Sequence, residues 1–307
     1  MRRFHTLLLA SALAGSALVG CAAETSDPLP RLAGGDLATE QASLRPEPFD
    51  PSTPSARPSD RVRTTEVLRP YTVVLVPEGG VLPVHTGPGE DTPVVAGLLP
   101  HAVVTATGHL ATVDGVTWMG IRADGSENIW VDAAYLTEHV APGAFCEDRN
   151  ARDLLTDLGI ALAEEDGERL FDLVSPTHGL RVRYLREGEV VHLSSDDARH
   201  VFTTGRPLSW GDDPASGEPV AAPFRDVAPD LRTTVDLSEN PVCNYLALGD
   251  ASYTASLPDG WQGVNQLALH LAPSEAGGLD WATWVIGIEY VEGQPYLFSL
   301  ARFGWEP

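Results

Sequence analysis

The chain has 307 residues, 43% of them hydrophobic, with 20 Lys plus Arg against 43 Asp plus Glu and a formal net charge of -23. The length allows about two domains beyond a leader. There is no lysine and no basic cluster, which excludes nucleic acid as a partner, because phosphate contacts need clustered cations. The same acidity repels anionic headgroups.

In chain order, Arg2 and Arg3 form a positive start, and residues 7–19 are a run of apolar and small side chains. The run is too short to span a bilayer, which takes roughly 20 apolar residues. Residues 1–20 read as a signal peptide. They end in Leu18-Val19-Gly20-Cys21, which resembles the lipobox of bacterial lipoproteins. The resemblance implies cleavage before Cys21, lipidation of Cys21 and a membrane partner held through that lipid. Such multiple acylation exceeds what stable anchoring needs. It places the chain in the cell envelope. Ala22 stands where an Asp would mark inner-membrane retention, which favours the outer membrane of a diderm cell.

Residues 21–66 are rich in Pro, Ala, Ser, Thr and Asp, and Pro28, Pro30, Pro46, Pro48, Pro51, Pro54 and Pro58 punctuate them. A segment with no hydrophobic period cannot offset its ordering entropy. It reads as a disordered tether with an r.m.s. span of about 40 Å.

Residues 67–142 change character. Short β-branched runs at 71–76, 81–85, 94–98, 103–107, 117–121 and 129–131 alternate with Gly and Pro turns. This spacing predicts a small all-β barrel or sandwich. Gly87 and Gly89 flank Pro88 and are expected to permit a tight turn with positive φ. The ordered set Leu82-Pro83-Val84-His85-Thr86-Gly87-Pro88-Gly89, Gly97-Leu98-Leu99-Pro100, Trp118, Ile129-Trp130-Val131 and Tyr135-Leu136 resembles the bacterial SH3 domain. It departs from that pattern at Pro83 and Ile129. The resemblance implies a small barrel that contacts peptidoglycan or an envelope protein. Trp118, Trp130 and Tyr135 are then candidate ligand-binding residues.

Residues 146–307 read as an α+β domain. Asn150 is a candidate N-cap, and Leu154, Leu158 and Leu162 follow at helical spacing until 164–167 interrupts. A second short helix buries Leu170, Leu173 and Val174 and stops near Pro176. Residues 180–184 and 190–193 form a predicted hairpin, and 196–240 read as irregular. Residues 281–291 and 295–305 are a long hairpin turning at Glu292-Gly293, with Trp284, Ile286, Ile288 and Tyr290 on one face. Two helices and a curved antiparallel sheet resemble the nuclear-transport-factor-two-like cone fold, whose sheet wraps a pocket. The region is also similar to uncharacterised domains that accompany bacterial SH3 modules. The whole reads as a multidomain chain: a small all-β SH3-like barrel followed by an α+β domain.

With Cys21 lipidated, Cys146 and Cys243 remain as a pair in an oxidising compartment, which favours a disulfide over two free thiols. No metal-ligand spacing, serine-hydrolase elbow or calcium loop occurs, so no metal, cofactor or catalytic residue is assigned. Glu289, set in an apolar strand, is a candidate buried carboxylate, with Asp280 and Arg302 as expected neighbours. His178 is either a pocket base or a turn histidine bonded to backbone. Trp210, Trp261, Trp281, Trp284 and Trp305 are either core or the lining of a pocket. These features favour an envelope-anchored binding or adaptor lipoprotein over an enzyme. The alternatives are an enzyme or small-ligand binder with a C-terminal pocket at Glu289 or His178, and a structural envelope lipoprotein without a ligand.

Overall fold

The computed structural model describes residues 68–305, apart from 124–125, 239, 247 and 250–252. The expected signal peptide, Cys21 and the tether lie outside the described residues. The described residues fall in one compact unit. The chain is α+β: two larger sheets, one small hairpin and five α-helices among the described residues.

The N-terminal region holds β1 (Arg69–Val73), β2 (Leu82–His85), β3 (Val94–Leu98), β4 (Val103–Val113), β5 (Val116–Ala123), β6 (Ser126–Asp132), a 3-10 turn at Ala133–Tyr135 and β7 (Leu136–Glu138). They pair in the order β3-β2-β6-β5-β4-β1-β7. β3 and β7 end this order without pairing to each other, so no closed barrel forms among the described residues. β4 runs to Val113, longer than expected, because Asp114 and Gly115 take positive φ and turn it into β5. Of the two turn glycines, only Gly89 has positive φ (115°). Val73, Val84, Val104, Ile121 and Val131 fill an aliphatic core on one face.

The C-terminal region opens with α1 (Pro142–Glu147), α2 (Arg149–Glu164) and α3 (Gly167–Leu173). The N-cap of α2 is Asp148, which accepts from Asn150 N–H; Asn150 is already inside the helix. Glu165 turns left-handed and Asp166 caps α3, which is the expected break. Then come β8 (Leu180–Arg183), β9 (Val190–Leu193), α4 (Ser195–His200), the hairpin β10 (Leu208–Asp212) and β11 (Pro219–Ala222), and α5 (Phe224–Leu237). The stretch read as irregular therefore holds two helices and a hairpin. β12 (Val242–Cys243), β13 (Asn265–Leu271), β14 (Ala282–Val291) and β15 (Gln294–Gly304) finish the chain. The six-stranded sheet runs β12-β13-β14-β15-β8-β9. It is mixed, not wholly antiparallel as expected: β15 and β8 pair in parallel.

Both faces of this sheet are filled. Trp284, Ile286, Ile288 and Tyr290 pack on the helix side with Leu158, Leu170 and Leu231. Val285, Phe298, Ala301 and Phe303 face the other way, against Trp261, Trp281 and Val74. An extra residue in β15, opposite Gly287 and Ile288, sends Phe298 to this second face. Val74 comes from the segment after β1, so the N-terminal region contributes directly to the C-terminal core. There Leu75 (φ 61°) donates its N–H to Gly260 O at 2.9 Å. A Cβ on Gly260 would stand 2.6 Å from Leu75 Cα, so only glycine allows this approach. Glu138 completes the junction, accepting from Glu292 N–H and Gly293 N–H at the tip of the β14–β15 hairpin.

Cys146 and Cys243 stand at disulfide distance, with Cα atoms 5.6 Å apart.

Candidate ligand-binding site

Register puts the N-terminal aromatics on the face opposite the aliphatic core. Met119 pairs with Val131 and Ile121 with Ile129, toward the core side; Trp118 pairs with Asp132 and Gly120 with Trp130, on the other side. His85 at the end of β2 pairs with Trp130. The ring of His85 meets Trp118 edge-on at 4.9 Å. Trp118 is only 3% exposed yet lies outside the aliphatic cluster. Its Nε1 is buried and has no hydrogen-bond partner among the described residues. A buried indole N–H normally finds an acceptor, so this one calls for a reason.

Trp118 borders a cavity of about 620 Å³. The loop after β1 supplies Val76, Pro77 and Val81; β2 supplies Leu82, Pro83 and His85; the 3-10 turn supplies Tyr135. Glu90, Val94 and Asp132 complete the rim. Asp132 Oδ1 accepts from Ala134 N–H, which caps the turn carrying Tyr135. His85 Nδ1 faces Thr92 O at 2.9 Å. A carbonyl only accepts, so Nδ1 carries the hydrogen of this contact. The expected set is thus split. Trp118 and Tyr135 share the cavity, whereas Trp130 is half-buried beside it and outside its lining.

Glu289 and His178 come together elsewhere. Glu289 is 2% exposed, on the second face of β14. His178 Nδ1 stands 2.6 Å from Glu289 Oε2, and His178 Nε2 stands 3.1 Å from Ala134 O. The partners expected from sequence are engaged elsewhere: Arg302 Nε donates to Asp230, and Asp280 accepts from Ser274 N–H. The cation nearest in effect is Arg181, which donates to His178 O and lies over the Phe298 ring. Burial lowers the Arg181 pKa, and the Glu289 carboxylate opposes that shift. Both ring nitrogens of His178 are engaged, and neither His178 nor Glu289 lines the cavity beside Trp118. The pair leaves no free nitrogen to take a substrate proton.

The C-terminal tryptophans do not converge. Trp210 and Trp284 pack on the helix side, and Trp261 and Trp281 on the opposite face. Trp281 and the exposed Trp305 border a cavity of about 390 Å³ with Asp230 and Arg302.

A scan against protein families finds no match, and a search of curated proteins finds none either. Among solved structures, the chain is similar to a designed protein described as an Rd1NTF2 variant, at 13% identity over 51% of this chain and 100% of that one. The TM-score of 0.24 is too low to carry an argument about fold or function.

Proposed function

We propose that the protein is an envelope-anchored lipoprotein whose N-terminal sheet works as a bacterial-SH3-type binding module. Cys21 carries the anchor, residues 21–66 form the tether, and the partner is peptidoglycan or an envelope protein. One observation supports this most: the cavity beside Trp118, whose buried indole N–H has no acceptor. Its volume is within the range of about 300–1,000 Å³ common to small-ligand sites. The walls combine apolar surface with a few convergent polar groups. The reading of a reaction at His178 and Glu289 has no comparable support, because both ring nitrogens of His178 are already engaged, by Glu289 and by Ala134 O.

The test uses the full chain, kept free of lipid by Cys21→Ser, mixed with purified peptidoglycan sacculi and centrifuged. The protein should pellet with the sacculi, and Trp118→Ala should reduce pelleting at least about tenfold, the loss of one buried aromatic anchor. Pelleting unaffected by Trp118→Ala would remove the cavity from the interaction. No pelleting by the parent chain would leave a protein partner as the reading to pursue.

A further inference from the structure

We infer that the cavity where α5 meets the ends of β13 and β15 binds a neutral saccharide, with Trp305 as its stacking surface and Arg302 as the donor to its hydroxyls. The site lies in the C-terminal region and goes beyond the reading of the N-terminal sheet as a binding module.

Trp305 follows β15 and borders this cavity of about 390 Å³, yet it is 40% exposed. Its ring is therefore reachable from water. Trp281 on the same cavity is 2% exposed and serves only as wall.

Arg302 supplies the polar counterpart. Its Nε donates to Asp230 Oδ2 at 2.9 Å, and Asp230 Oδ1 accepts from Trp284 Nε1 at 2.8 Å. A Cβ on Gly304 would stand 3.2 Å from both terminal nitrogens of Arg302, so the guanidinium lies close against that glycine. One nitrogen is thus pinned and one side of the fork is packed. Nη1 and Nη2 make no hydrogen bond to a described residue, and neither is shut away from solvent. Four N–H donors in one fixed plane remain for a ligand.

The charges around the cavity select the class of ligand. Arg302 stands with two carboxylates, Asp230 and Asp280, so the lining repels an anion, and a cation would compete with Arg302 for Asp230. A neutral ligand whose groups both donate and accept suits this set, because hydroxyls accept from the guanidinium and donate to the carboxylates. A sugar adds the apolar part: its weakly positive C–H face packs on the negative face of an indole. Exposed Leu279 extends the apolar rim. An extended peptide also carries donors and acceptors, but it adds to a free strand edge. Ala282 at this cavity is already paired on both sides, with Leu271 and Gly304.

The probes are cellotetraose and chitotetraose, β-linked tetramers of glucose and N-acetylglucosamine, with acetylated, amidated tetra-alanine as the peptide control. Each is titrated into the ¹⁵N-labelled Cys21→Ser chain. The Trp305 indole resonance, identified through Trp305→Phe, is followed together with the backbone amides of Thr233 and Leu279. At least one tetrasaccharide should move these resonances saturably, and the peptide should not. Trp305→Ala should weaken binding, read on the two amides, at least about tenfold, the loss of one aromatic anchor. Trp305→Phe should restore most of it, because a ring face remains. Arg302→Lys keeps a cation beside Asp230 but removes the fork, and should also cost at least about tenfold. Unchanged resonances away from the cavity show that each variant is folded. Trp118→Ala should leave the saccharide shifts in place, so this site and the N-terminal module stand or fall separately. No saturable movement with either tetrasaccharide, equal movement with tetra-alanine, binding that survives Trp305→Ala, or shifts that follow Trp118 instead would each overturn the inference.

Discussion

The two large sheets bury themselves in different ways. β14 is buried at nine of its ten positions, because helices cover one face and the 253–264 loop with Val74 and Leu75 covers the other. The N-terminal sheet has one aliphatic face, a second face opening into a 620 Å³ cavity, and an edge strand, β3, that exposes Val94 and Val95. Unsatisfied polar atoms exist in both. In the C-terminal sheet Glu289 Oε1 is shut inside packed side chains; in the N-terminal sheet Trp118 Nε1 belongs to a residue on a cavity wall. The same local oddity therefore lies in closed packing in one region and beside open space in the other, a difference set by what packs on the second face.

The largest effect should come from the C-terminal side. The Cys146–Cys243 bridge closes a loop across 97 positions. Replacing both with serine should cost about 4–5 kcal/mol in urea unfolding under the chain-entropy model. The two sheets should nevertheless unfold together, because Val74, Leu75 and Glu138 tie the N-terminal sheet into the C-terminal core. Hydrogen exchange read separately on β4–β5 and β14–β15 checks this. Two separated transitions would make the regions independent folding units and break the comparison.

A second effect sharpens it. His178→Ala would leave Glu289 buried without its partner, and should cost about 3–5 kcal/mol. Replacing His178 and Glu289 together by Leu and Met should recover most of that loss, since apolar residues of similar volume commonly match a buried pair. A double-mutant cycle in urea measures both steps. Additive losses would show that the two side chains do not act as a unit, and that the C-terminal sheet does not close its polar groups inward.

Local patterns made much of this legible. The alternation of Trp284, Ile286, Ile288 and Tyr290 and the Glu292-Gly293 turn mark the β14–β15 hairpin. The α2–α3 break follows from Glu165 and Asp166, and the cysteine pair follows from counting. What escaped had a competing local signal or a distant cause. α5 carries Phe224, Val227, Ala228, Leu231 and Thr234 on one buried face, but Pro229 falls inside it. Pro229 has no N–H to donate to the Arg225 carbonyl, and the helix continues because its apolar face is packed. The parallel β8–β15 pairing joins segments more than a hundred positions apart, and nothing local announces it. His178 and Glu289 are 111 positions apart. Each was legible as a candidate; their union was not. Likewise Trp118 and Tyr135 were candidates, but the carboxylates of Glu90 and Asp132 had no local mark.

The smallest expected effect concerns acid. His270 on β13 lies near the Trp281 ring, and its Nδ1 stands 2.8 Å from Thr283 Oγ1. Burial lowers its pKa below the ordinary imidazole value. The unfolded chain therefore takes up this proton first as the pH falls. The associated stability is complete above the ordinary value of about 6.5 and declines as the pH drops through it toward the lower folded-state value. His270 is half-buried and its shift is of one group, so the slope should be shallow. His270→Gln, which retains a side-chain group for Thr283, should flatten the thermal midpoint over that window. A midpoint whose pH slope is unchanged in His270→Gln would show that this histidine does not carry the acid dependence of the closed sheet.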